Sequence, residues 1–91
     1  MDLANNAQQH RYEITEAGRL LGHADYRESA GVVTFTHTEI DPSQGGKGLG
    51  SKLARFALDD VRARGLRAVA QCEFIAAWIE RHPDYRDLLK A

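Results

Sequence analysis

A glycine-rich segment, Gln44-Gly45-Gly46-Lys47-Gly48-Leu49-Gly50, constrains the fold of this chain more than any other feature. The stretch before it, Val32–Ile40, is dominated by Val, Thr, Phe and Ile, which favour strands. After it the apolar residues recur with helical spacing, at positions Leu49, Leu53, Phe56, Ala57 and Val61. A strand, a glycine turn and a helix in this order predict an α/β layer.

The rest of the chain extends this pattern to the order β-β-β-α-β-α-α, a minimal mixed sheet packed by helices. The predicted strands are residues 11–15, 20–28, 32–40 and 66–71, and the predicted helices are 49–64, 74–81 and 84–90. Residues 16–19 and 29–31 are predicted turns between strands. Residues 1–10, rich in Asn and Gln, are predicted to be a flexible tail, and residues 11–91 one domain. The helix between the last two strands favours a parallel pairing.

The glycine segment is suited to holding an anion. Glycine permits positive φ and lets a ligand approach backbone amides without meeting a Cβ. The free N–H groups and the dipole of the following helix attract negative charge, and Lys47 and Lys52 supply further positive charge nearby. A nucleotide P-loop does not fit, because Ser51 and Lys52 follow Gly50 in the reverse order. A dinucleotide fingerprint does not fit either, because Ser51 occupies the place of its third glycine.

Charge and cysteine content narrow the class of protein. Twelve basic and thirteen acidic residues give a net charge of -1, which does not favour nucleic acid or a membrane surface as a partner. The single cysteine, Cys72, excludes an intramolecular disulfide, and the four histidines form no metal-binding pattern. We therefore expect a cytoplasmic protein without a bound metal. A core of this size makes a homodimer plausible.

Four motifs in register resemble one family. They are His37-Thr38-Glu39-Ile40, Gly46-Lys47-Gly48-Leu49-Gly50-Ser51-Lys52-Leu53, Cys72 and His82-Pro83-Asp84-Tyr85. The chain resembles the GCN5-related N-acetyltransferases (GNAT), and more closely their small CG acetyltransferase group, over roughly residues 12–89. Two positions depart from the family pattern. Gly45 stands where the loop usually has Arg or Gln, and Glu73 follows Cys72 where the small group usually has Pro.

The resemblance implies a trimmed GNAT fold that binds acetyl-coenzyme A (acetyl-CoA). The loop amides would hold its pyrophosphate, and the strand before the loop would pair with the pantetheine arm. The implied coenzyme-binding residues are Ile40, Gln44, Gly45, Gly46, Lys47, Gly48, Leu49, Gly50 and Ser51. The implied reaction transfers an acetyl group to an amine or thiol of a small molecule or protein.

Three residues are candidates for the chemistry. On the third strand, the alternation that contains Val33 and Phe35 continues into His37 and Glu39, where a base could sit beside the loop. Cys72, at the end of the fourth strand, could carry the acetyl group as a nucleophile or line the pantetheine channel. His37 and Glu39 could instead be surface residues at the end of a strand that emerges into solvent. The rival interpretation of the chain is a non-catalytic module that binds coenzyme A or a protein. A purely structural domain with an incidental glycine loop is the third interpretation.

Overall fold

The computed structural model describes residues 1–90, which form five strands, two α-helices and three short 3-10 segments. The strands are β1 (Asp2–Asn6), β2 (Arg11–Glu16), β3 (Arg19–Ser29), β4 (Val32–Ile40) and β5 (Arg67–Ala70). The helices are α1 (Leu49–Ala63) and α2 (Glu73–Arg81). The 3-10 segments are Ala7–Gln9, Pro42–Gln44 and Pro83–Leu88, the last of which replaces the predicted helix at 84–90.

The strands form one mixed sheet in which spatial order follows chain order, β1-β2-β3-β4-β5. The first four strands pair antiparallel, and β5 pairs parallel to β4 from Val32↔Arg67 to Phe35↔Ala70. This confirms the predicted fold class, a mixed sheet packed by helices. The parallel pairing requires the crossover that α1 provides.

Two-residue turns join β2 to β3 and β3 to β4. Ala17 and Gly18 form the first and Ala30 and Gly31 the second, and all four have positive φ. This is the geometry of type I′ turns, whose twist matches that of the flanking strands. Both predicted turns are confirmed.

The core lies between the sheet and α1. Six residues of α1 are buried, namely Leu49, Leu53, Ala54, Ala57, Leu58 and Val61. They face Tyr12, Ile14, Tyr26, Val33 and Phe35 of the sheet, which are buried too. The Tyr12 hydroxyl donates to Asp60 of α1 at 2.6 Å, so the most buried tyrosine has its polar atom satisfied. The predicted apolar face of α1 is confirmed.

The prediction of a flexible tail at residues 1–10 is wrong. Residues Asp2–Asn6 form β1, which pairs antiparallel with β2 from Asp2↔Thr15 to Asn6↔Arg11. Leu3 packs against the core, and the Tyr26 hydroxyl donates to Asn5 Oδ1 at 2.7 Å. The strand therefore depends on tertiary partners, because its own composition does not favour extended structure.

The predicted alternation along β4 is also wrong beyond Phe35. Tyr26 of β3 pairs with Phe35, whereas the preceding residue, Asp25, pairs with His37. Thr36 is therefore the extra residue of a β-bulge, and the bulge reverses which face the following side chains occupy. His37 and Glu39 lie on the face opposite Phe35, and Thr38 lies on the helix-covered face with its partner Ala24.

Neither of the α-helices within residues 1–90 has the length and hydrophobicity that a membrane-spanning segment requires.

Candidate functional site

The parallel ladder between β4 and β5 stops at the bulge. The carbonyl oxygen of Phe35 accepts from the backbone N–H groups of both Gln71 and Cys72 at 3.0 Å, which ends the pairing. Beyond this point β4 continues to Ile40 without a β5 partner. The edge of β4 formed by residues 36–40 is therefore available for pairing with another extended molecule.

A cleft of about 330 Å³ lies next to this free edge, between the end of β4, the start of α1 and one side of α2. Its lining combines the glycine segment with one polar hydroxyl, two aromatic rings and one cation: Ile40, Gln44, Gly45, Gly46, Gly48, Leu49, Gly50, Ser51, Phe74, Trp78 and Arg81. The lining contains no carboxylate. The cleft is therefore suited to an anionic ligand.

The glycines of the segment meet two different requirements. Gly46 and Gly48 have φ of 80° and 71°, and a Cβ at either position would meet nothing within 4 Å. Their backbone conformation, which L side chains rarely adopt, is what favours glycine there. Gly50 differs, because a Cβ there would lie 2.6 Å from Cζ of Phe74. Gly50 therefore permits close packing of α1 on α2 and is not required for a turn.

Helix α1 starts without a capping side chain. Its N-cap residue is Gly48, and the first helical hydrogen bond runs from Lys52 N–H to the Gly48 carbonyl at 3.1 Å. No acidic residue lies in the first turn. The amides at the start of α1 thus have no side-chain acceptor, and the helix dipole favours an anion there.

The acidic residue nearest in sequence to the glycine segment is occupied elsewhere. Asp41 Oδ1 accepts from the N–H and the hydroxyl of Ser43, both at 2.9 Å, and Arg19 donates to Oδ2 at 2.9 Å. These donors hold the pKa of Asp41 below its usual value. Lys47 donates to Gln44 Oε1 at 3.1 Å, within the segment itself.

Cys72 lies across the gap from the free part of β4. It is the N-cap residue of α2 and 8% exposed. Its thiol donates to Oγ1 of Thr38 at 3.2 Å. The thiol therefore bridges β4 and α2 immediately beyond the last pair of the parallel ladder.

His37 and Glu39 come together with each other but not with Cys72. The Nε2 of His37 is 3.1 Å from Oε2 of Glu39, and their side chains are 59% and 65% exposed. They lie on the open face of the sheet, where Asp25 and His23 are their direct neighbours on β3. His23 forms its own contact with Asp25 at 2.8 Å, and its ring centroid is 6.3 Å from that of His37. Within residues 1–90 no group of His, Cys, Asp and Glu side chains is arranged to hold a metal ion.

The structure places most of the expected coenzyme-binding residues in the cleft and adds three from α2. Of the expected set, Lys47 alone is absent from the lining. None of the three, Phe74, Trp78 and Arg81, is among the residues that the family resemblance implies. Trp78 is buried, at 1% exposed, but its ring also lines the cleft, and its Nε1 donates to Ser51 at 2.9 Å. The spacing i, i+4, i+7 of these three residues is the signal that could have identified them as one helix face.

Known proteins match this chain both in sequence and in fold. A family model described as GCN5-related N-acetyl-transferase matches residues 11–88. Protein NATD1 from Bos taurus is 35% identical over 52 residues, which cover 57% of this chain and 46% of that protein. The match therefore spans less than half the length of that relative.

Two solved structures share the fold. A GCN5-like protein from Staphylococcus aureus matches with a TM-score of 0.76 and 22% identity, covering 99% of this chain and 88% of its own. A GNAT-family protein from Desulfovibrio desulfuricans matches with a TM-score of 0.59 and 22% identity, covering 81% and 52%.

Proposed function

The chain belongs to the GCN5-related N-acetyltransferase family, and we propose that it binds acetyl-CoA in the cleft and transfers the acetyl group to an amine. One observation carries the proposal. The uncapped start of α1 and Ile40, the last residue of the unpaired β4 edge, line the same cleft, and the lining of that cleft has no carboxylate. A single ligand with an anionic part and an extended amide-bearing part would satisfy both sets of backbone groups.

Acetyl-CoA fits this arrangement in one direction. Its diphosphate would accept from the amides at the start of α1. The amide groups of its pantetheine arm would pair with residues 36–40 of β4, in the place that a further β5 residue would otherwise take. Its thioester would then lie toward the bulge, near Thr38 and Cys72.

The acceptor amine would approach from the open face, where His37 and Glu39 lie. The amine nitrogen attacks the thioester carbonyl, the C–S bond breaks, and coenzyme A leaves as a thiolate. The proton released by the amine passes to His37, whose Nε2 is held by Glu39, and a proton then reaches the thiolate from solvent. In this direct mechanism Cys72 lines the gap and forms no covalent bond.

A covalent route is the second candidate, because the Cys72 thiol lies at the same gap. In that route the Cys72 thiolate attacks the thioester and coenzyme A leaves. The amine then displaces the acetyl group from Cys72. We favour the direct route, because the thiol is buried and donates its hydrogen to Thr38, whereas the His37–Glu39 pair is exposed to an incoming acceptor.

Coenzyme binding is tested by thermal melting and calorimetry. A ligand at 100 times its Kd should add about 2.7 kcal/mol of stability, which raises the Tm of a domain of this size by roughly 10 °C or more. ATP and NAD at the same excess should give much smaller shifts. An equal shift with ATP would contradict the choice of ligand.

A matched pair of glycine variants locates the site. Gly48 and Gly31 both have positive φ, and a Cβ at either would meet nothing within 4 Å, but only Gly48 lines the cleft. Gly48→Ala and Gly31→Ala should therefore cost similar stability, about 1–2 kcal/mol. Only Gly48→Ala should weaken acetyl-CoA binding, by at least roughly tenfold. Equal weakening in both variants would place the site elsewhere.

The two mechanisms differ in one covalent product. On the direct route, intact-mass spectrometry after incubation with acetyl-CoA should show no acetyl adduct. Cys72→Ala should then keep most of its turnover with an amine, and His37→Ala should lose it by roughly 100-fold or more. An acetyl mass on Cys72 together with loss of turnover in Cys72→Ala would support the covalent route. Binding without turnover by any amine offered would favour a non-catalytic coenzyme A module.

A further inference from the structure

The cleft contains one charge that the sequence motifs do not account for. Arg81 is the sole ionisable side chain among the cleft-lining residues. It is exposed, and within residues 1–90 its guanidinium takes part in no ion pair and no side-chain hydrogen bond. Two other cations lie nearby, and neither is part of the lining. Lys47 donates to Gln44, and Lys52 lines a different cavity together with Arg55 and Asp59.

The packing of α2 on α1 fixes the position of the Arg81 backbone beside the cleft. Phe74 lies against Gly50, where a Cβ would come within 2.6 Å of the ring. One turn later, Trp78 donates to Ser51 at 2.9 Å. Both contacts are with the first turn of α1, and Arg81 follows three residues later on the same side of α2. The helix therefore carries Arg81 along the wall of the cleft that faces the start of α1.

The end of α2 is held firmly at this point. The ring of Trp78 stacks on that of His82 at 3.8 Å, and the Nδ1 of His82 is 2.7 Å from the Trp78 carbonyl oxygen. The His82 N–H also donates to the Ile79 carbonyl at 3.0 Å. The backbone on both sides of Arg81 is thus restrained, so a ligand contact would have to order the arginine side chain alone.

A diphosphate bound in the cleft would need a cationic side chain as a partner. The glycines of the segment and the start of α1 supply backbone amides and a partial positive charge to the cleft, but no full charge, because neither Lys47 nor Lys52 lines it. A diphosphate carries two negative charges, and a guanidinium binds phosphate oxygens in a bidentate manner. We propose that Arg81 binds the diphosphate of the coenzyme from the α2 side, opposite the amides at the start of α1. This inference rests on the proposed function, because it names a further binding residue of that site.

A purely structural role makes a different prediction. Arg81 lies in the last turn of α2, where a cation stabilises the helix by about 0.3–1 kcal/mol through the helix dipole. That role would lower the Tm of the free protein in Arg81→Gln and would change the affinity for every ligand alike. A phosphate contact would instead affect only those ligands that carry the diphosphate.

Three ligands and three variants test the proposal. The first ligand, coenzyme A, carries the diphosphate and a 3′-phosphate. The second, dephospho-coenzyme A, carries the diphosphate alone, and the third, pantetheine, carries no phosphate. The variants are Arg81→Gln, Arg81→Lys and the control Arg86→Gln, which removes one exposed arginine that does not line this cleft. Calorimetry measures the Kd of coenzyme A and of dephospho-coenzyme A, and NMR titration measures the Kd of pantetheine.

We expect Arg81→Gln to weaken the binding of coenzyme A and of dephospho-coenzyme A by the same factor, roughly 10- to 100-fold. The binding of pantetheine should not change. Arg81→Lys should recover part of the loss, and Arg86→Gln should bind as the parent does. A loss confined to coenzyme A would overturn the proposal in favour of a 3′-phosphate contact. An equal loss for pantetheine, or none for any ligand, would also overturn it. If the parent binds none of the three, the proposed function itself fails.

Discussion

The two faces of the sheet have opposite chemistry. The helix-covered face is apolar from β2 to β5, and its central residues are almost fully buried: Tyr12, Ile14, Val33, Phe35 and Ala68. The open face carries two rows of ionisable residues across β2, β3 and β4. One row is Glu13, His23 and Glu39, and the other is Arg11, Asp25 and His37. Nearly all of the buried apolar area therefore lies on one side.

Within this small chain, the residues that stabilise the fold therefore lie on one face of the sheet, and the two rows of ionisable side chains lie on the other. Strand β4 contributes to both, because its bulge at Thr36 places Phe35 in the core and the next two odd-numbered residues, His37 and Glu39, on the open face. Residues on the open face can be exchanged at low cost in stability. We infer that this face is where the residues that act on an acceptor can vary.

The largest expected effect compares neighbouring residues of β4 on the two faces. Phe35 is fully buried and its ring centroid lies 6.1 Å from that of Tyr12, whereas Thr34 faces the open side. Phe35→Ala should lower the free energy of unfolding by about 3–5 kcal/mol. Thr34→Ala should lower it by about 1 kcal/mol or less. Urea unfolding measures the free energy of unfolding of both variants. Similar losses would show that the two faces do not differ in the way described.

A smaller effect is expected where the helix-covered side also shapes the cleft. Gly50→Ala would bring Cβ to 2.6 Å from the Phe74 ring, so α2 or the ring must shift, at a cost of about 1–3 kcal/mol. Phe74→Leu in the same chain should recover part of that loss, because the shorter side chain leaves room for Cβ. Double-mutant analysis by urea unfolding measures the coupling. Strictly additive effects would mean that the two residues do not constrain each other.

The smallest effect is expected for the open face. Partial burial raises the pKa of Glu13, but hydrogen bonds from Arg11 and Asn6 outweigh it, so the pKa lies below its ordinary value of 4.5. A carboxyl group with a lowered pKa in the folded state contributes stability above its unfolded pKa, and the contribution is lost as the pH falls through the folded pKa. Glu13→Gln should therefore cost about 1 kcal/mol or less at pH 7 and nothing at low pH. Stability curves from pH 2 to 7 that stay parallel would contradict this.

Local patterns in the sequence were sufficient to predict most of the fold. Alternation predicted β2, the flanking turns predicted β3, the strand-forming composition predicted β4, and the apolar positions from Leu49 to Val61 predicted α1. Glycine at turn positions marked both hairpins. The strand-turn-helix order placed the glycine segment at the cleft that the structure shows. Each of these features depends on residues that are neighbours in the chain.

The features that were missed depend on residues distant in the chain. Strand β1 has few strand-forming residues and is held by Tyr26 and the β2 edge. The bulge at Thr36 leaves no trace in the alternation of Val33 and Phe35, because it arises from the register with β3. Arg81 lies 31 residues after Gly50 and joins the cleft only because α2 packs on the start of α1. Single-sequence patterns carry no information on such contacts.

The order of the strands has a consequence for the folding pathway. Strands β1 to β4 pair with their sequence neighbours through short connections, so they can form early at small entropic cost. The pairing of β4 with β5 must instead wait for α1 to close a loop of 26 residues between Ile40 and Arg67. We expect the cleft to be completed in the last folding step. A coenzyme bound in the cleft as proposed should then slow hydrogen exchange most in β5 and α2, because it would stabilise the arrangement that these last elements complete.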